Sequence, residues 1–240
     1  MKQEAMYEYV AFDLETTGLS EEDDEIIEVG AVKIRNHKIV GKYNQIINPH
    51  RLLPYQIIEL TGIEQELVDR GREKEEVLRE FYDFCDGYPL LGHNVMFDYR
   101  FMKTGMNQFG ISFEKDGADT YQIARTLLKN EVKSKSLGSL CEYYHYVNQA
   151  AHRAYHDALA TVVVYEKMQM QFPDEIRIFE PKQLQFRPKK QSLATEKQKR
   201  YLNHLLKYHK IKDNIAFETL TKSDASKYID QIILKHGRMS

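Results

Sequence analysis

Two carboxylates two residues apart, Asp13 and Glu15, close the apolar run at residues 9–14. In a strand, alternation sends both to one face, where hard oxygen donors can share a divalent cation. The same pair could instead cap the Thr16-Thr17-Gly18 turn through its backbone. A third acid, Asp98, follows His93 and Asn94 early in a helical pattern, a position that also suits the positive end of a helix dipole. A fourth, Asp157, begins another helical pattern just after His152, a stretch for which a solvated loop is the alternative reading. Each acid alone is ambiguous; oxygen-rich chemistry on a hard cation is what they could do together.

The surrounding pattern shows what must position them. Residues 9–14 read as a buried strand, and 26–35 and 38–47 as a hairpin across Asn36 and His37. Residues 48–61, with two prolines and a Thr-Gly step, read as irregular. Helical spacing follows at 73–85, 95–106, 121–128, 137–144 and 157–172, with short apolar runs at 89–91 and 118–120. A strand meander followed by alternating strands and helices predicts an α/β layered fold with a mixed sheet. The acidic loop 21–25 reads as solvated, Asp119 as structural, and Cys85 and Cys141 as buried small hydrophobes.

Read in order, FDLETTGL at 12–19, IIEVGAV at 26–32, HNVMFD at 93–98 and HRAYHDALAT at 152–161 resemble the DnaQ-like exonucleases of the DEDDh type, which include bacterial polymerase proofreading subunits. The resemblance covers residues 7–170. It implies a ribonuclease-H-like fold, with helices on both faces of a mixed five-stranded sheet. It implies that Asp13, Glu15, Asp98 and Asp157 hold two divalent cations, Mg²⁺ or Mn²⁺, and that His152 is the general base. The sister subclass places a tyrosine base where this chain has Arg153, so the spacing selects His152 over His156. Thr16, Gly18 and Leu19, with His93, Asn94 and Phe97, then border the pocket for the terminal nucleotide. The implied reaction is 3′-to-5′ phosphodiester hydrolysis releasing nucleoside 5′-monophosphates. In such chemistry paired cations supply hydroxide near neutral pH and stabilise the departing oxygen. DNA in repair or proofreading is the first reading of the substrate. The alternatives are an exoribonuclease trimming RNA 3′ ends and a non-catalytic nucleic-acid-binding or polymerase-accessory module.

Composition fits this reading. The 240 residues, 42% hydrophobic and 29% charged, suit one good-sized domain with a small appendage and exclude a disordered chain. Residues 1–8 lack a secretory pattern and no apolar run reaches bilayer length, so a cytoplasmic protein without a membrane partner is expected. Residues 1–179 carry 20 Lys+Arg against 30 Asp+Glu, a balance of −10; residues 180–240 carry 14 against 6, a balance of +8. The expected division is an exonuclease domain at 1–179, a linker at 180–194 and a small basic helical module at 195–240. That module could track nucleic-acid phosphates, bind a replication or repair protein, or carry its charge only to solvate two short helices. Its helices are announced by Thr195 with Gln198 and by Thr221 with Asp224, and Gly237 can end the second. Gln183-Leu184-Gln185-Phe186 is too short to carry a clamp-binding reading.

Overall fold

In the computed structural model, which describes residues 7–189, 192–212, 215–218 and 220–239, the central strand is β1 (Glu8–Thr16). Its apolar residues serve two cores. Val10, Phe12 and Leu14 enter one, and Tyr9 and Ala11 the other. A strand buried on both faces reads as a nearly continuous apolar run, as this one does. Asp13 and Glu15 continue the Tyr9–Ala11 face, so the acids occupy the end of a row that begins as core.

Antiparallel to β1 runs β2 (Ile26–Arg35), which turns through Asn36 and His37, both left-handed with φ of 49° and 62°, into β3 (Lys38–Ile46). Two left-handed residues match the twist of a tight hairpin. Residues 48–61 are not wholly irregular: Tyr55–Thr61 forms α1, followed by α2 (Gln65–Asp69). Pro54 stands just ahead of α1, where a missing N–H costs nothing, and Gly62 ends it at a φ of 67°.

Then follow α3 (Lys74–Cys85), β4 (Leu90–Gly92), α4 (Val95–Gln108), β5 (Asp116–Asp119), α5 (Thr120–Leu127), α6 (Leu137–Tyr143) and α7 (Ala154–Gln171). Helices α3 and α4 fill the core on one face of the sheet, with Phe81, Tyr99 and Met102 against Phe12; α5, α6 and α7 fill the other, with Tyr165 edge-on to Tyr9. Cys85 and Cys141 are buried, as expected.

Among the described residues the sheet has six strands, not five. Its order is β3-β2-β1-β4-β5-β6, where β6 (Lys182–Gln183) lies antiparallel to β5. This strand comes from the expected linker at 180–194, of which Lys190 and Gln191 lie outside the described residues. The segment docks because Leu184 is buried against Gly117 and its N–H reaches the Lys115 carbonyl. Its low apolar periodicity conceals a single anchoring leucine.

Beyond it, α8 (Glu196–Tyr208) and α9 (Lys222–His236) enclose their own apolar cluster, including Leu202, Leu205, Leu220 and Ile232. The capping box of Thr195 and Gln198 is formed, Thr221 caps α9 and Gly237 ends it. Among the described residues no helix is long and apolar enough to cross a membrane.

One close approach fixes the frame. A Cβ on Gly30 of β2 would fall 2.0 Å from the Tyr155 backbone nitrogen and 2.1 Å from the Ala154 carbonyl carbon. The first turn of α7 therefore rests directly on the sheet backbone beside Asp13, the partner of Gly30 in register. Gly30→Ala should cost at least about 3 kcal/mol of stability, because backbone rather than a flexible side chain must move. Thermal unfolding measures this, and an unchanged melting temperature would contradict the packing.

Candidate active site

The start of α7 is seated by β2. Glu28, two residues from Gly30 on the same face, accepts the Ala154 N–H at 3.1 Å and pairs with Arg153 through Nε at 3.1 Å and Nη2 at 2.9 Å. Asp157, in the first turn of α7, then faces Asp13 and Glu15. One carboxylate oxygen from each of these three residues lies within 4.8 Å of the other two. Asp157 is also tied back to the preceding loop, accepting the Asn148 amide at 2.6 Å and the His152 backbone N–H at 2.8 Å.

Asp98 approaches from the opposite face. Its Oδ1 accepts the Leu14 backbone N–H at 3.1 Å, beyond the point where β1 and β4 stop pairing. It is outside the three-oxygen cluster, yet its charge is among those that raise Asp13. His152 is exposed, at the left-handed φ of 61°, and its ring charge would lower Asp157.

The expected pocket residues separate into two groups. Thr16 is buried, its hydroxyl donating to the Gly18 carbonyl at 2.6 Å, and it holds a turn from which Leu19 projects 85% exposed. Gly18 lies tight against Asp24, whose carboxylate accepts the Thr17 hydroxyl at 3.1 Å and the Ser20 N–H at 3.0 Å. The second group precedes α4. His93 is half-buried, with Nδ1 at 2.9 Å from Thr120 Oγ1 and its ring edge-on to Tyr121; burial pushes its pKa down to about 4. Asn94 is left-handed and exposed, and its N–H donates to Asp119 Oδ1 at 2.9 Å. Phe97 is half-buried with its ring 5.1 Å from Phe101.

Several residues that shape this site carry no role in their sequence pattern. Glu28 is unmarked within IIEVGAV, and Asn148 has no signal. Asp119 reads as structural, and it caps α5 by accepting the Tyr121 and Gln122 amides. The loop 21–25 is not uniformly solvated. Asp24 closes the turn, and Glu25 is 3% exposed between Lys74 Nζ at 2.8 Å and Lys227 Nζ at 2.9 Å. Lys227 belongs to α9, so one basic charge of the C-terminal helices is paired with the body, and in the reverse sense the body's Arg51 pairs with Asp230 of α9 at 3.6 Å.

The electrostatics of the cluster are those of crowded anions. Burial first, then Asp98, Asp157 and Glu15, raise Asp13 well above the usual carboxylate range. Burial, with Asp157 and Glu28, lifts Glu15 to about 8 against the lowering by Arg153. Burial likewise raises Asp98 and Asp157, opposed by the amides they accept. Such a set sheds its protons readily only when a cation replaces them, and all-oxygen donors at this spacing fit a hard divalent ion.

Residues 10–165 match the exonuclease family. The PolC-type DNA polymerase III of Caldanaerobacter subterraneus subsp. tengcongensis is 40% identical over 161 residues, which are 67% of this chain and 11% of that protein. The chain thus spans about a tenth of the length of that polymerase. Among solved structures, E. coli ExoI in its zinc-bound complex with single-stranded DNA aligns with a TM-score of 0.60 at 17% identity, over 70% of this chain and 42% of that one. The nuclease domain of 3′hExo, a DEDDh family member bound to rAMP, aligns with a TM-score of 0.62 at 22% identity, over 73% and 98%. The fold is accordingly ribonuclease-H-like.

A pH dependence follows from the raised acids. The folded state holds the Glu15 proton more tightly than the unfolded chain, whose glutamate titrates near 4.5. That stabilisation is complete below about 4.5 and is lost as pH rises through about 8. Protein in EDTA should therefore melt at progressively lower temperature across this window, Mn²⁺ should restore it, and Asp13→Asn should stabilise the EDTA form at pH 8. A flat profile would mean the acids ionise without mutual cost.

Proposed function

The chain belongs to the exonuclease family, and from that premise we propose that it is a 3′-to-5′ exonuclease of the DnaQ-like branch that removes nucleotides from DNA 3′ ends in cytoplasmic repair or proofreading. The observation that carries the site is the meeting of Asp13, Glu15 and Asp157 oxygens within 4.8 Å. These three, with Asp98 from α4, would hold two divalent cations, Mg²⁺ or Mn²⁺. When bound, the cations supply a nucleophile near neutral pH and positive charge for the developing oxyanion.

The chain's own residues do the rest. The exposed imidazole of His152, beside Asp157, accepts the proton of the attacking water. Asp157 fixes the backbone of that base by accepting its amide. Leu19, held out by the Thr16–Gly18 turn, offers an apolar surface to the terminal base. His93 and Asn94 border the pocket on a turn fixed by Thr120 and Asp119, and Phe97 supports Asp98. Support for DNA comes from the 40% identity to a DNA polymerase.

We also divide the chain into an exonuclease unit and a small basic module at 195–240, of which residues 213, 214, 219 and 240 lie outside the described ones. The module's Lys197, Arg200 and Lys207 are exposed on α8 and available to nucleic-acid phosphates or to a replication or repair protein.

Digestion of 3′- and 5′-labelled single-stranded DNA, duplex DNA and RNA tests this. The expected result is cation-dependent release of nucleoside 5′-monophosphates from DNA 3′ ends, abolished by Asp13→Ala and reduced about 100-fold or more by His152→Ala. Preference for RNA would overturn the substrate reading, and full turnover by His152→Ala the assignment of the base. Changing Lys197, Arg200 and Lys207 together to Gln should flatten the slope of log affinity against log salt by about 2 if they contact single-stranded phosphates. An unchanged slope would leave the module to a protein partner.

A further inference from the structure

Glu28 is a charged residue at 0% exposure that has no part in the chemistry above. It stands on β2 directly opposite Glu15 in register, but its carboxylate turns to α7 and accepts three hydrogen bonds there. All three donors, Arg153 Nε, Arg153 Nη2 and the Ala154 N–H, belong to the two residues that follow His152. A carboxylate this deep is costly unless paired, and the planar fork of arginine is the group that satisfies both of its oxygens.

The conformation of His152 shows what that anchorage serves. A φ of 61° is uncommon for a residue with a Cβ and persists where the surroundings impose it. Here one restraint acts on His152 itself, whose N–H donates to Asp157 Oδ2 at 2.8 Å. The other acts immediately afterwards, where Arg153 and Ala154 are bound to Glu28. Gly30 lets the chain sink close enough to the sheet for these bonds to form. The exposed imidazole is thus carried on a backbone held on both sides.

We propose that Glu28 and Arg153 are a positioning pair for His152, fixing the direction in which its imidazole leaves the backbone. Arg153 stands at the position where the sister subclass has a tyrosine base, and with Glu28 it supports a neighbouring base instead of supplying one. This rests on the reading of His152 as the proton acceptor. The pair's hydrogen bonds run between its two members and to the Ala154 amide, so its effect should fall on turnover and pass through His152.

A double-mutant cycle on the full chain separates these possibilities. With a 3′-labelled DNA oligomer and Mn²⁺, kcat and KM are measured for Arg153→Met, His152→Ala and the double variant. Arg153→Met should lower kcat about 10- to 100-fold with KM within about twofold. In the His152→Ala background the same change should cost less than about threefold. Equal losses in both backgrounds, or no loss in the first, would overturn the positioning role while leaving the base assignment intact. Near-normal kcat in His152→Ala alone would instead overturn the base assignment and the pair's role with it.

Arg153→Met leaves a buried charge unpaired and could unfold the chain. Changing Glu28 and Arg153 together to Met replaces the pair with apolar chains, a change that buried pairs often tolerate. That variant should melt cooperatively and show the same loss confined to kcat; wild-type kcat would overturn the proposal. Arg153→Lys, which keeps the charge but loses the fork, should recover only part of the turnover, and full recovery would count against the bidentate geometry.

Discussion

Like charges held together out of water repel, and the end of β1 is built around that repulsion. Asp13 and Glu15 occupy a strand face whose first residues, Tyr9 and Ala11, are core. Asp157 arrives on α7 and Asp98 reaches round from α4. Without a cation, the cluster relieves its strain by keeping protons, and this is why Asp13 and Glu15 sit so far above the ordinary carboxylate range. The fold carries this cost because the same crowding makes the site attractive to divalent ions.

The crowding depends on a contact that is not electrostatic. Gly30 allows the first turn of α7 to lie on the sheet backbone, and this brings Asp157 to β1. Glu28, one pleat further along, accepts the Ala154 amide that the approach buries and pairs with the half-buried Arg153 guanidinium. Small residue, buried acid and the clustered acids of β1 therefore form one ladder along paired strands: Gly30 beside Asp13, and Glu28 beside Glu15. Core packing of Tyr9 against Tyr165 continues that ladder and ties the position of the helix to the sheet.

Much of this is legible in the sequence. The strand carrying Asp13 and Glu15, the hairpin, the main helices and the caps at Thr195 and Thr221 all follow from local pattern, and the structure forms them. What local pattern cannot show is interaction across the sheet. Glu28 looks like one acid in an apolar strand until its partner at Arg153 is known. Glu25 looks solvated until Lys74 and Lys227 close over it from α3 and α9. The sixth strand escapes because two residues and one buried leucine leave no period to detect. Pro54 reads as a breaker although it introduces a helix. His93 is expected at the pocket, and its ring is engaged with Thr120, a contact set by β5 and α5 rather than by its own motif.

The most direct measurement is the number of protons released when Mn²⁺ binds at neutral pH, obtained by titration calorimetry in buffers of differing ionisation enthalpy. Crowded carboxylates completed by cations should release about one proton or more per chain, and Asp13→Asn should reduce both the release and the affinity. Tight binding with no proton release, unchanged in Asp13→Asn, would contradict a cation site built from these acids.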